Sequence, residues 1–205
     1  MSLSVSYDAA YASYTVDDYL ATWAAGFATA GHGYSNTGGF NKGGFNGEQY
    51  ATHGANGSDY AFVASSDTTN GLHYVFNPGQ PASSNMNHYL WGEVDSVSLG
   101  YKLGGGNGSN FTLAEEVVTF NGLDLEAALG AGRAGNEVQS VIYGLMQGNT
   151  SALEGVLDNL LAGYGVSTGD TFDANSAALA GGPLNVASAD VVGVQALAED
   201  FALAA

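Results

Sequence analysis

The spacing of apolar residues changes twice along this chain, and that order of patterns limits the folds open to it. Apolar residues recur every three or four positions over residues 16–27 and again over 138–161, which is the period of a helix with one buried face. Between these stretches, short segments rich in β-branched and aromatic residues alternate with Gly, Asn, Ser and Asp, as in strands joined by tight turns. Strands grouped in the middle, with helices before and after them, predict an α+β fold with helices on one face of an antiparallel sheet.

The predicted elements can be placed by residue number. Apolar and polar residues alternate over residues 3–7, which predicts a strand. Thr15 is expected to cap the start of a helix, with Asp18 at the third position after it, where a capping-box partner stands. Further strands are expected at 49–52, 60–64, 72–76, 89–99 and 116–120, and further helices at 138–146, 151–161 and 171–180. Ser151 and Glu154 have the spacing of a capping box. No shift in composition marks a boundary, so we expect the 205 residues to form a single domain.

Charge and cysteine content exclude several classes of protein. Three Lys and Arg residues against 20 Asp and Glu give a net charge of −17, so the basic cluster needed for nucleic-acid binding is missing. The chain has no cysteine and therefore no disulfide or thiolate metal site. It has no run of 18 apolar residues, so we expect no membrane insertion. Common hydrolase, metalloprotease and phosphate-loop motifs are also absent.

The two ends of the chain bear on where the protein works. Residues 1–8 have neither the basic nor the apolar region of a signal peptide, so we expect none to be cleaved. Residues 187–205 are rich in Ala, Val and Leu and close with Leu203-Ala204-Ala205. Two interpretations of this tail stand on composition alone: a final helix or frayed end, or a C-terminal export signal.

Of the four histidines, His32 and His88 stand at positions that suggest a role in a site. His32 follows the first predicted helix in a loop with a glycine on either side. His73 and Tyr74 are neighbours on a predicted strand, so only one of them can face a given site. His88 begins the next strand, and a hairpin would bring it back toward Tyr74. A lone histidine in such a protein is usually a surface residue or one with its hydrogen bonds satisfied.

Several short segments, taken together and in order, resemble HasA-type hemophores, which are secreted bacterial proteins that capture haem and hand it to an outer-membrane receptor. The segments Leu72-His73-Tyr74, Phe76-Asn77-Pro78 and His88-Tyr89-Leu90-Trp91-Gly92 are similar to the ligand loop of that family. The likeness continues through residues 19–23, 36–41, 49–51, 94–96, 141–148, 171–173, 192–195 and 203–205. No one segment is specific, and their number and order carry the resemblance.

The resemblance implies a site for one ferric haem b. His32 matches the axial histidine, Tyr74 the axial tyrosine, and His88 the histidine that hydrogen-bonds to the tyrosinate. It also implies a curved antiparallel sheet with helices behind it and two loops that grip the haem. The family's type I exporter reads a C-terminal signal, so we expect a haem-binding domain at 1–184, a signal tail at 185–205, and an extracellular protein of a Gram-negative bacterium.

Other residues are expected to contact the haem. These candidates are Phe40, Phe45, Phe76, Gln139, Tyr143 and Met146. Gln139 stands where several relatives carry a histidine, and it can offer an amide but not a cation. The connection between Tyr74 and His88 is several residues longer than in the family.

These residue types suit a carrier. Ferric iron is a hard acid that prefers an anionic oxygen, so a phenolate at Tyr74 would stabilise Fe(III). With His32 on the other face, no coordination position stays open for peroxide. A secreted haem peroxidase is the enzymatic alternative, but it usually needs an arginine, and Arg133 lies far along the chain. A third alternative is a Gly-rich extracellular adhesive or calcium-binding module.

Overall fold

The computed structural model describes residues 2–30, 39–69 and 71–184. The strands in these residues are β1 (Ser4–Tyr7), β2 (Gly39–Phe40), β3 (Asn46–Gly47), β4 (Gln49–His53), β5 (Tyr60–Ser65), β6 (Leu72–Val75), β7 (Tyr89–Gly104) and β8 (Thr112–Ala127). The α-helices are α1 (Val16–Gly26), α2 (Glu137–Met146), α3 (Ser151–Leu161) and α4 (Phe172–Gly181). The predicted α+β arrangement is confirmed, and β7 and β8 extend beyond the predicted strands.

The described strands pair antiparallel in one sheet. Its main order is β1-β8-β7-β5-β4-β2, while β6 pairs with both β3 and β7. Residues 89–92 of β7 pair with β6, and residues 96–101 pair with β5. Along one edge, β7 therefore pairs first with β6 and then with β5, and β6 carries Tyr74.

Helices cover one face of this sheet, as predicted. Alternate residues of β7, Val97 and Leu99, are buried in the same apolar cluster as Trp23 of α1 and Ile142 of α2. The residue between the two strand positions, Ser98, points to the opposite face, where its hydroxyl lies 2.6 Å from that of Thr119. The sheet is thus apolar toward the helices and polar on its other side.

Side chains at the helix starts agree with the predictions except at α3. Thr15 Oγ1 accepts a hydrogen bond from the Asp18 amide at 3.0 Å, which is the predicted cap of α1. The expected capping box of Ser151 and Glu154 is wrong. Thr150 is the N-cap residue, and its hydroxyl donates to the Glu154 carboxylate at 2.7 Å.

Two predicted features lie outside the described residues. One is the His32 loop, within residues 31–38, and the other is the tail at 185–205. Among the helices that are described, none has the length and apolar character to cross a bilayer.

Candidate functional site

A cavity of about 730 Å³ lies beside the starts of β2 and β7 and beside α2. Most of the predicted haem contacts line it, namely Phe40, Phe45, Tyr74, His88, Gln139, Tyr143 and Met146. The wall also includes Gly39, Gly44, Tyr50, Ala82, Leu90, Arg133 and Ser140. Its volume is in the range of sites that bind small molecules or cofactors, roughly 300–1,000 Å³.

Strand alternation sends Tyr74 into this cavity and its neighbour His73 away from it. The His73 ring stacks on Trp91 of the adjacent strand, with ring centroids 4.0 Å apart and planes 8° from parallel. Tyr74 pairs with Leu90 on the neighbouring strand, and both residues line the cavity. As predicted, only one of the two adjacent residues, His73 and Tyr74, faces the site.

The Tyr74 phenol oxygen and His88 Nδ1 share a hydrogen bond of 2.6 Å. The pairing of β6 with β7 places the two residues on adjacent strands, because Val75 lies opposite Tyr89. The 77–87 segment, which connects these strands, therefore reaches out from the sheet and returns without displacing His88. The structure thus brings together two of the three predicted haem-iron site residues; the third, His32, lies outside the described residues.

The backbone at His88 is held in an uncommon conformation. Its φ is 54°, in the left-handed region, where histidine is tolerated better than most non-glycine residues. The buried side chain of Asn87 fixes this turn: its Oδ1 accepts from the amides of His88 at 3.0 Å and of Asn77 at 2.8 Å. One asparagine thus joins the two ends of the 77–87 segment and sets the direction of the His88 side chain.

Two of the phenols on the cavity wall, those of Tyr74 and Tyr50, resist ionisation. Burial raises the pKa of Tyr74, and the positive charge of Arg133 opposes that shift. Burial also raises the pKa of Tyr50 to about 12, and its hydroxyl donates to the Met146 sulfur at 3.3 Å. A phenolate at Tyr74 therefore needs help from a bound cation and from a group that takes its proton, and His88 is placed to be that group.

Gln139 lines the cavity, but its carbonyl is already engaged. Gln139 Oε1 accepts from the Leu90 amide at 2.7 Å, and Asn136 Nδ2 donates to the Leu90 carbonyl at 2.8 Å. Leu90 lies just before the point where pairing of β7 with β8 ends, at Gly92 and Ala127. The side chains of Gln139 and of Asn136, the N-cap residue of α2, thus take the place of a neighbouring strand, and the amide NH₂ of Gln139 is left to reach a ligand.

Aromatic side chains stand exposed near the cavity. Phe45 is 57% exposed, Phe76 48% and Tyr143 53%. Phe76 does not line the cavity, but its ring lies 5.1 Å from the His88 ring and 6.4 Å from the Phe45 ring, measured between centroids. Exposed apolar rings that cluster beside a cavity are typical of a surface that binds a flat apolar ligand.

Arg133 was expected to be remote, and the structure places it on the cavity wall instead. Its Nη2 donates to the carbonyls of Ser83 and Ser84 at 2.8 Å each. No periodic pattern predicts this contact, because both partners lie in irregular segments about 50 residues apart. The only hint in the sequence is that Arg133 is one of three basic residues in the chain.

Comparison with known proteins gives consistent matches. Residues 1–205 match the family Heme-binding protein A (HasA). Hemophore HasA of Serratia marcescens is 38% identical over 200 residues, which cover 95% of each protein. The holo hemophore HasA of Yersinia pestis matches 84% of this chain and 95% of its own with a TM-score of 0.66 at 24% identity. An apo structure of the same hemophore gives a TM-score of 0.66 over 84% and 92% of the two chains, also at 24% identity.

Proposed function

This chain belongs to the HasA family of heme-binding proteins, and from that premise we propose that it is an extracellular haem carrier. It binds one ferric haem b as cargo in the cavity beside Tyr74 and delivers it to an outer-membrane receptor for iron acquisition. It is a carrier and not an enzyme, in keeping with its family.

The observation that carries this proposal is the Tyr74–His88 pair on the wall of the cavity. Ferric iron prefers an anionic oxygen donor, and a phenol with a histidine acceptor 2.6 Å away can supply one. As iron binds Tyr74, His88 accepts the phenol proton, either by full transfer or through the hydrogen bond. Tyr74 is thus an axial ligand, and His88 supports it without binding the iron.

His32 supplies the second axial ligand, from the opposite face of the haem. The support for this role is its match to the family histidine and its place between Gly31 and Gly33, shortly after α1. Two protein ligands fill the axial positions of the iron, so peroxide finds no open site. The His32 loop and the 77–87 segment are the two loops that grip the haem.

Apolar contact adds to ligation, and long-range charge does not. The protein carries a net charge of −17, which repels the haem propionates. Phe40, Phe45 and Met146 lie on the cavity wall and offer apolar surface, while Phe76 lies beside it. Burial of a few hundred Å² of porphyrin contributes roughly 5–10 kcal/mol before the entropy of binding is subtracted.

Export uses the C-terminal tail. We assign residues 1–184 to the haem-binding domain and 185–205 to a signal read by a type I exporter of a Gram-negative bacterium. In support, the last described helix, α4, ends at Gly181, and its first residue, Phe172, is buried in the apolar core of the described residues. The tail ends in Leu203-Ala204-Ala205, as in the family it resembles.

A titration of the full chain with ferric haem b tests the proposal. We expect a saturable change in the Soret band, a 1:1 endpoint, a six-coordinate spectrum and no peroxidase turnover. No saturable change would refute haem binding, and a five-coordinate complex that turns over peroxide would favour the enzymatic alternative. No spectral change with haem, together with a change in intrinsic fluorescence on addition of Ca²⁺, would favour the adhesive or calcium-binding module.

A further inference from the structure

We propose that Arg133 and Asn85 form a latch that keeps His88 in hydrogen-bond contact with Tyr74. The latch is the set of contacts that joins residues 83–85 of the 77–87 segment to residues 132–134. This inference rests on the proposed haem site, and it assigns a positioning role to two residues that do not themselves support the iron.

The latch is built from both partners. Asn85 Oδ1 accepts from the backbone amides of Arg133 at 2.9 Å and of Ala134 at 2.7 Å. The Asn85 carbonyl accepts a third bond, from the Arg133 amide at 3.0 Å. The Arg133 guanidinium reaches back to the carbonyls of Ser83 and Ser84. Both bonds come from Nη2, whose two hydrogens lie in the plane of the guanidinium and so point in fixed directions, unlike those of a freely rotating ammonium.

Close packing at Gly132 fits this arrangement. Gly132 has a φ of 71°, and a Cβ at this position would lie 2.4 Å from Asn85 Nδ2. Only a glycine therefore lets the two backbones approach this closely. The Gly132 carbonyl in turn accepts from Asn136 Nδ2 at 2.8 Å, and that same amide donates to Leu90.

These contacts form a closed path through the residues that hold His88. The path runs along the backbone from His88 to Leu90 on β7 and passes through the Asn136 side chain to Gly132. From residues 132–134 it returns through Asn85 to the 77–87 segment, which leads back to His88. The 77–87 segment has no helix or strand of its own, so a few side-chain bonds decide its position. Loss of the latch would leave Asn87 as the main tie that holds His88, and His88 would leave Tyr74 more often.

Haem release from single variants gives the first test. Ferric haem b is loaded on the full chain, and its dissociation rate is measured by transfer to excess apomyoglobin. We expect Arg133→Gln and Asn85→Ala each to raise the rate about tenfold, as expected for the loss of hydrogen bonds worth somewhat over 1 kcal/mol. Asn85→Asp keeps the acceptor oxygen and should release haem at the parental rate.

The matched control is Lys102→Gln, which also removes one positive charge. Lys102 is exposed and pairs with Glu115 away from the cavity. Asn85→Ala separates the latch from charge, because it keeps the guanidinium that favours the Tyr74 phenolate. Parental release rates in Asn85→Ala, or equal acceleration in Lys102→Gln, would overturn the latch.

A double-variant cycle asks whether the latch acts through His88. Since His88 has a positive φ, His88→Gly removes the side chain without backbone strain. We expect Asn85→Ala, which keeps the Arg133 charge, to add no further acceleration in the His88→Gly background. Independent, additive effects would mean that Asn85 only stabilises the fold, and this would refute the positioning role.

The haem-free protein gives a readout that does not depend on haem binding. Amide hydrogen exchange at Asn77 and His88, which both donate to Asn87, should accelerate in Arg133→Gln and in Asn85→Ala but not in Lys102→Gln. If the parent fails to bind haem, the proposed function fails, and this exchange still tests the latch. Unchanged exchange in both variants would show that no latch exists.

Discussion

The phenol oxygen of Tyr74 lies 2.6 Å from Nδ1 of His88, a residue 14 positions away along the chain. Burial raises the pKa of this phenol, so Tyr74 carries its proton in the haem-free protein at neutral pH. Ligation of ferric iron must therefore move a proton as well as form a bond. The geometry gives that proton an immediate acceptor, and the predictions below depend on this relationship.

Substitution of Tyr74 should weaken haem binding more than substitution of either histidine. In the proposed site, Tyr74→Phe removes the anionic ligand, His32→Ala leaves ligation by Tyr74 in place, and His88→Gly removes the hydrogen bond that supports Tyr74. We expect His88→Gly to lower affinity about 10- to 100-fold, the usual effect of losing a partner of a metal ligand, and Tyr74→Phe to lower it further. Titrations with ferric haem b measure all three. Parental affinity in Tyr74→Phe would refute the tyrosinate assignment.

Haem affinity should fall on acidification. In the proposed site, iron binding displaces the Tyr74 proton, and the share of that proton that passes to solvent makes acid oppose binding, so affinity rises with pH wherever the haem-free phenol is protonated. Because burial raises the pKa of Tyr74, this dependence should extend through neutral pH. In that site His88, whose Nδ1 lies 2.6 Å from the phenol oxygen, keeps part of the displaced proton, so the dependence is shallower than release of a whole proton would give.

Titrations of the parent and of His88→Gly across the acid range check both parts of this expectation. The variant, which lacks this acceptor and must release the whole proton to solvent, should show a steeper dependence of affinity on pH than the parent. Two profiles of the same shape would mean that His88 does not take part in the proton movement.

Deletion of the last 15 or so residues should block export and leave haem binding intact. The reason is that the described residues up to 184 already supply the wall of the candidate site and a continuous apolar core. Secreted and cell-associated protein are compared for the full and shortened chains, and the shortened chain is then titrated with ferric haem b. Normal secretion after truncation, or lost haem binding, would contradict the assignment of the tail.

Asp95 should destabilise the fold at neutral pH. It lies at a bulge in β7, and its Oδ1 is buried with no hydrogen-bond partner among the described residues. Burial, with smaller effects from Asp67 and Asp124, raises the pKa of Asp95, so the folded state holds this proton more tightly than the unfolded state does. The charged form is therefore penalised above the folded pKa, and the penalty disappears as the pH falls through it.

Asp95→Asn should accordingly raise the free energy of unfolding by about 1 kcal/mol at neutral pH, with a smaller gain in acid. Urea unfolding near pH 7 and near pH 4 gives the comparison. Glu116→Gln, which removes an exposed carboxylate from β8, is the matched control. A loss of stability in Asp95→Asn at neutral pH would show that the carboxylate is needed there.

Local periodicity predicted the elements, and the resemblance to the HasA-type hemophores picked out the site residues. Alternation along β6 and a hairpin return explain why Tyr74 and His88 come together once those residues are chosen. The lengths of β7 and β8 were underestimated because their far ends carry polar residues such as Lys102 and Glu115, which pair with each other in solvent. Arg133 was misjudged because its partners are backbone carbonyls in an irregular segment, which no side-chain pattern reveals.

The long pairing of β7 with β8 also has a kinetic consequence. Gly104 pairs with Thr112 across a short connection, so the two strands can meet as soon as their own residues are free. Pairing of Ser4 with Asn121 must instead close a loop of more than 100 residues, which has a higher entropic cost. Contacts between near neighbours form faster, so the hairpin is expected to nucleate folding and β1 to dock late. The β7–β8 pair would then be the template on which the strands that precede it in the chain assemble.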